Sequence, residues 1–176
     1  HILEQRGIIT SQQGKGRFLR EIPISQLGED KQEEMSKNLE RYSLYEAYEV
    51  RQVLETKAMD LIVRNATDSD LDEIETAYQT MLLRFAETNT TTGEFELHQL
   101  YAKKTGSVFM EQTLNIVLST ILEMMHTTSH NVMDMHQVEE EKADHRRIID
   151  ALHKRDSSAA QQAMYDHIQH TLDILQ

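Results

Sequence analysis

The sequence has no cysteine, one proline and six glycines in 176 residues, and only 6% of it is aromatic. Without thiols there are no disulfides and no thiolate metal sites, so any metal must be held by nitrogen and oxygen. The same lack suits a reducing compartment, and a cytoplasmic location is expected. Chain breakers are concentrated early: Pro23, Gly7, Gly14, Gly16 and Gly28 all precede residue 29, and only Gly93 and Gly106 follow. A chain so sparsely punctuated is expected to be helical from that point on. A long hydrophobic run is missing too. The most apolar stretch, Phe109–Met125 (FMEQTLNIVLSTILEMM), is interrupted by glutamates and amides, which fits a buried amphipathic helix and not a membrane span. There is no GxSxG, no P-loop and no cysteine nucleophile, so an enzyme is not expected.

What is present begins with an asymmetry of charge. Arg6, Lys15, Arg17 and Arg20 stand against Glu4 and Glu21 in residues 1–22, so that end carries +2 of a net −12 and the remainder −14. Such a split suggests an end that faces nucleic acid joined to an acidic body with another task. The apolar share of 39% is enough for one substantial core plus a fragment. With His1 in place of a methionine, the chain is expected to be part of a longer protein.

In the stretch GIITSQQGKGRFLREI, Ile8–Ser11 and Arg17–Ile22 read as two short strands around the turn QQGKG. The acidic run Glu29–Tyr42 reads as a polar helical linker. Ser43 is placed to cap a long helix, Leu44–Ala66, in which Val50, Leu54, Ala58, Leu61 and Ile62 recur at helical spacing as one stripe. TDSD at 67–70 breaks and recaps the chain. Further helices are expected at about 71–87, 94–104, 107–128, 131–155 and 157–175. Six helices with short connections predict an all-α antiparallel bundle preceded by a β-hairpin.

Nine histidines must be distributed over such a bundle. Glu94 and His98 are four apart and share a face with Tyr101 and Ala102. His145 lies on the stripe that continues through Ile148, Ile149 and Leu152, and His167 on that of Met164 and Leu172. His126, His130, His136, His153 and His170 show no such pattern and are expected at surfaces or helix ends. Any single one of His98, His145 and His167 is better read as a satisfied core or surface residue. Three with a carboxylate are harder to accommodate, because imidazoles need partners when buried and repel each other when protonated. A divalent cation resolves both difficulties, keeping the rings neutral and leaving positions for an oxygen donor.

The segments YEVRQVLETKAMDLIV, EFELHQLYAKKTGS and DHRRIIDALHKRDSSAAQQAMYDHI, in this order over residues 44–175, resemble the FCD effector domain of FadR-subfamily GntR transcription regulators. In that family the domain follows a winged helix-turn-helix, and the resemblance makes the 8–22 hairpin similar to its wing, with HILEQR as the tail of the recognition-helix region. The implied organisation is a wing at 1–22, a linker at 23–43 and a helical effector-binding and dimerisation domain at 44–176. The family's metal ligands, from a DxxFH motif and two later histidines, fall on Glu94, His98, His145 and His167. Glu94 replaces the family aspartate, Leu97 its phenylalanine and Ser107 a pocket asparagine.

The resemblance implies a divalent metal cofactor, zinc first with nickel, iron or manganese as alternatives. It further implies a homodimer, DNA as partner through the complete winged domain, and a small organic-acid effector. Arg51 presents paired donors suited to the effector's carboxylate, with an ion pair to Glu55 as the structural alternative. Ser107 is a second effector contact. Lys15 and Arg17 would lie near the DNA backbone, where contacts position a protein without reading bases. Arg84 is placed either in the pocket or in solvent. A competing reading is a ferritin-like di-metal enzyme, but such sites need two ExxH motifs and only Glu123–His126 has that spacing.

Overall fold

The structure is a computed structural model, and it describes residues 9–12, 16–19, 29–88, 92–127 and 135–175. Two compact units are present, His1–Leu39 and Glu40–Gln176. In the first, strands β1 (Ile9–Gln12) and β2 (Gly16–Leu19) pair antiparallel, with Ile9 opposite Leu19, Thr10 opposite Phe18, Ser11 opposite Arg17 and Gln12 opposite Gly16. The strands expected from the sequence are therefore present, each shifted by one residue at its start. Lys15 and residues 20–22 lie outside the described residues.

Six helices follow: α1 (Glu29–Asn65), α2 (Asp68–Thr88), α3 (Thr92–Lys104), α4 (Val108–Thr127), α5 (Met135–His153) and α6 (Ser157–Leu175). The expected helix start at Ser43 is overturned, because α1 is continuous through it. No glycine or proline interrupts Glu29–Asn65, and the run before Ser43 is dominated by strong helix formers such as Glu, Lys, Gln, Met and Leu.

The connections are defined by caps. Thr67 and Asp70 form a reciprocal box: the Asp70 amide donates to Thr67 Oγ1 (3.2 Å) and the Thr67 amide to Asp70 Oδ2 (2.8 Å). Gly106, with φ 69°, ends α3 in the left-handed conformation, beside Asn65, whose Nδ2 donates to the Thr105 carbonyl at 2.7 Å. Arg155 takes the same conformation after α5, φ 55°, where glycine would be the easier residue. Its side chain supplies the reason. Nη1 donates to the Ala66 carbonyl at 2.6 Å and Nη2 pairs with Asp68 at 2.7 Å, so Arg155 closes the C-terminal end of α1.

Within the helical unit α2 packs on α3 and α5, α3 on α4, and α5 on α6. One continuous core draws on all six helices, with Leu71, Ile74, Tyr78, Met81 and Phe85 on α2 and Leu114, Leu118 and Ile121 on α4 repeating every three or four residues. The stripe expected on α1 holds at Ala58 and Ile62 but not at Val50, which is 51% exposed. The buried face of α1 is instead Leu44, Tyr48, Arg51, Glu55, Ala58, Met59 and Ile62, so two charged side chains point inward. Among the described residues, no helix is long and apolar enough to cross a membrane.

Candidate metal centre

Helices α3, α5 and α6 bring one turn each to a common point. Glu94 occupies the first turn of α3, where a carboxylate is favoured by the exposed amides. His98 follows one turn later, and Tyr101 and Ala102 on the same face anchor it in the core. His145 is held by Ile148 and Ile149 below it on α5, and His167 by Met164, Ile168 and Leu172 on α6. All four side chains are buried, and one ligand atom from each lies within 4.8 Å of every other.

Nε2 of His98 and Nε2 of His167 are 3.2 Å apart, and Oε1 of Glu94 is 3.6 and 3.9 Å from them. Ligands at bond lengths of 2.0–2.1 Å around a tetrahedral ion are separated by about 3.3 Å, so the spacing of these nitrogens suits a shared cation. The His145 ring stands 4.5 Å from that of His167 and 5.1 Å from that of His98, centroid to centroid. Eight buried side-chain nitrogen and oxygen atoms lack a hydrogen-bond partner among the described residues, and four belong here: both nitrogens of His145, Nδ1 of His167 and Oε2 of Glu141. Buried polar atoms are normally paired, so this concentration marks a site built for a group that supplies the missing contacts. Glutamate in place of aspartate still reaches the rings, and the donor set of three imidazoles and a carboxylate fits a divalent ion.

Electrostatics point the same way. Burial, and then the neighbouring His167 and His98, push His145 well below the usual imidazole range. His167 is also lowered, chiefly by burial. Both rings are therefore neutral lone-pair donors, the form a metal requires. Burial would raise Glu94, yet the neighbouring His98 and the Arg51 guanidinium hold its carboxyl well below the usual range. Glu141 goes the other way, driven up by burial and by the charge of Glu94.

Arg51 is 1% exposed and is surrounded by acids: Nε donates to Glu55 Oε1 at 2.6 Å and Nη2 to Glu94 Oε1 at 3.4 Å. The ion pair with Glu55 weighed as its structural role is present. Burial opposes charge on Glu55, but His98 and Arg51 outweigh it and hold the carboxyl at about 2. Ser107 caps α4, its Oγ accepting from the Met110 amide at 3.3 Å. Arg17 lies on β2, and Lys15 is outside the described residues. Arg84 pairs with the exposed Glu96. His153 and His170 are exposed as expected, Asp144 Oδ2 accepting from His170 Nδ1 at 2.9 Å, while the side chains of His126, His130 and His136 lie outside the described residues. Glu123, the acid of the single ExxH motif, is exposed on α4, which removes the basis of the di-metal alternative.

Of two further acids at this site, Glu141 escaped the sequence reading and Glu55 was weighed only as an ion-pair partner of Arg51. Glu55 Oε2 accepts from His98 Nδ1, and Glu141 Oε2 stands 3.4 Å from His167 Nδ1 and 3.8 Å from His145 Nε2. A signal for each exists in hindsight. Glu141 precedes His145 by four residues just as Glu94 precedes His98, and Glu55 follows Arg51 by four.

The FCD domain family model matches residues 46–170. The HTH-type transcriptional regulator LutR of Bacillus subtilis (strain 168) is 24% identical over 178 residues, covering 98% of this chain and 80% of that protein. Streptococcus agalactiae GntR is similar in structure with a TM-score of 0.64 at 19% identity, over 98% of this chain and 78% of that one. E. coli McbR/YncC gives a TM-score of 0.62 at 13% identity, over 99% and 75%. The two solved structures share the fold, and the family match covers most of the helical unit, so the chain belongs to the FCD domain family.

Proposed function

We propose that the chain is a ligand-responsive bacterial transcription regulator of the FadR subfamily. Its helical unit holds one divalent cation on Glu94, His98, His145 and His167 and responds to a small organic acid. The observation that carries this reading is the group of buried, unpartnered ring nitrogens gathered around Glu94. When bound, the ion supplies a positive charge and open coordination for an anionic oxygen; zinc is the first choice, with nickel, iron or manganese suited to the same donors.

The chain's own residues do the rest. Burial keeps the His145 and His167 rings neutral, Arg51 balances the acids, and its Nη2, only loosely engaged with Glu94 at 3.4 Å, is the donor nearest to hand for an effector carboxylate. The Ser107 hydroxyl accepts from the α4 amide and retains its hydrogen for an effector oxygen. The exposed Phe109 and Ile116 on α4 support a homodimer that buries them. The hairpin with Lys15 and Arg17 serves as the wing of a DNA-binding domain at 1–22, joined through 23–43 to the effector domain at 44–176. The effector changes DNA affinity only by preferring one arrangement of the dimer, whose two wings then sit differently on the half-sites. A cytoplasmic location follows from this role.

Elemental analysis of protein purified without chelator tests the reading, with one metal per chain expected. His98→Ala should abolish retention while helical circular dichroism persists. Organic acids should then raise the melting temperature of metal-loaded protein and not of the variant. Absence of metal from the wild-type protein, together with no zinc binding on titration, would overturn it.

A further inference from the structure

His98 and His167 turn Nε2 toward each other and toward Glu94, and the opposite nitrogen of each ring faces a different acid. Nδ1 of His98 is hydrogen bonded to Oε2 of the buried Glu55. Nδ1 of His167 lies 3.4 Å from Oε2 of Glu141, which is 7% exposed and has no hydrogen-bond partner. A neutral imidazole carries one N–H, and the nitrogen that meets an acceptor keeps it. A carboxyl group offers an accepting oxygen whether ionised or protonated. With an acceptor bonded at Nδ1 of His98 and another standing 3.4 Å from Nδ1 of His167, hydrogens kept at Nδ1 leave two Nε2 lone pairs directed at one point, 3.2 Å apart, beside a carboxylate oxygen. That arrangement is repulsive until a cation stands in it.

Both acids are placed for the task. Glu55 is fixed by Arg51, which donates to its other oxygen at 2.6 Å, so Arg51, Glu55 and His98 form one buried chain from α1 to α3. Asp144 is also near Nδ1 of His167, at 3.7 Å, but it is engaged by Arg147 and by His170. Glu141 is nearer and has an oxygen unused.

We propose that Glu55 and Glu141 are positioning residues of the metal centre, taking the Nδ1 hydrogens of His98 and His167 so that both rings offer Nε2 to the cation. The proposal rests on the metal reading above, yet the ring tautomers are a property of the metal-free protein as well, so the two fail separately. Outer carboxylates of this kind commonly govern metal affinity by about 10–100-fold.

The test combines zinc affinity, measured by competition with a chromophoric chelator, with nitrogen–proton correlation spectra of the histidine rings in metal-free full chain. Wild-type spectra should show N–H at Nδ1 of His98 and His167. In Glu55→Gln the single amide oxygen stays with Arg51 and the NH2 group meets His98, moving that ring's hydrogen to Nε2 and weakening zinc by about 10–100-fold. Glu141→Leu should weaken zinc similarly, Glu141→Gln should restore most of the affinity through its carbonyl oxygen, and Asp144→Asn should cost less than Glu141→Leu. Unchanged affinity in Glu55→Gln and Glu141→Leu, or Nε2–H rings in the wild type, would overturn the proposal. If Glu55→Gln does not fold, the wild-type His98 spectrum decides its half. If the wild type binds no zinc, the metal reading falls and the spectra alone decide the tautomers.

Discussion

Met59, Ile62, Leu118 and Ile121 are no more than 1% exposed, and so are His98, His145 and His167. The first group meets only demands that close packing satisfies. The second carries ring nitrogens and faces acids, and several of those atoms have no hydrogen-bond partner among the described residues. Burial is therefore the same physical event with opposite consequences in the two regions. In one it removes apolar surface from water and stabilises the fold. In the other it removes hydration from polar groups and returns only part of it, which costs stability unless something further binds. The contrast identifies the polar region as the one retained for binding and the apolar region as what keeps the fold in place around it.

The largest effect expected comes from the charge that holds the polar region together. Arg51→Met would leave Glu55 and Glu94 buried without their guanidinium, and losing one partner of a buried pair typically costs about 3–5 kcal/mol. Urea unfolding of metal-free protein should show this loss. A change below about 1 kcal/mol would mean that the two acids are neutral without Arg51 and that the comparison of regions is misdrawn.

On the apolar side, Leu118→Ala should cost about 2–5 kcal/mol through lost burial and a residual cavity. The same variant should leave zinc affinity within about twofold, because Leu118 is on α4 and none of the four candidate ligands is; a fall of about tenfold or more would show that the two regions are not separable.

Metal removal acts on the polar region alone. At free zinc one hundred times the dissociation constant, the bound ion adds about 2.7 kcal/mol. For a chain of this size that is a melting-temperature difference of roughly 5–10 °C between zinc-loaded and chelator-treated protein. No difference would leave the unpartnered nitrogens without a purpose.

How much of this was readable beforehand follows the same division. His98, His145 and His167 were found because each sits at helical spacing from aliphatic residues, Ala102, Ile148 or Met164, so the pattern that builds the core also pointed the rings inward. Glu141 was not found and Glu55 was weighed only as a partner of Arg51, because an acid among polar neighbours has the pattern of a solvated face, and only the fold reveals that Arg51 and the histidines enclose them. Val50 failed in the opposite sense, an apolar residue that the bundle leaves outside while Arg51 beside it goes in. The helix start at Ser43 was misplaced since a capping residue signals an end only where the preceding sequence disfavours helix, and Glu29–Tyr42 does not. The starts of both hairpin strands were placed to within a residue by the glycines around them.

The smallest effect is the one that separates the two regions most sharply. Neither nitrogen of His145 has a hydrogen-bond partner among the described residues, and the ring is enclosed with Ile148 and Ile149 following on its own helix. Leucine at this position has about the same bulk and no polar atoms to satisfy. His145→Leu should therefore stabilise the metal-free protein by about 1–3 kcal/mol, the usual penalty of an unsatisfied buried group, while abolishing the zinc-dependent rise in melting temperature. The two readings come from one pair of thermal or denaturant curves, with and without zinc. Destabilisation of the metal-free variant would mean that His145 is already satisfied as it stands, and that the polar region belongs with the apolar one as structure.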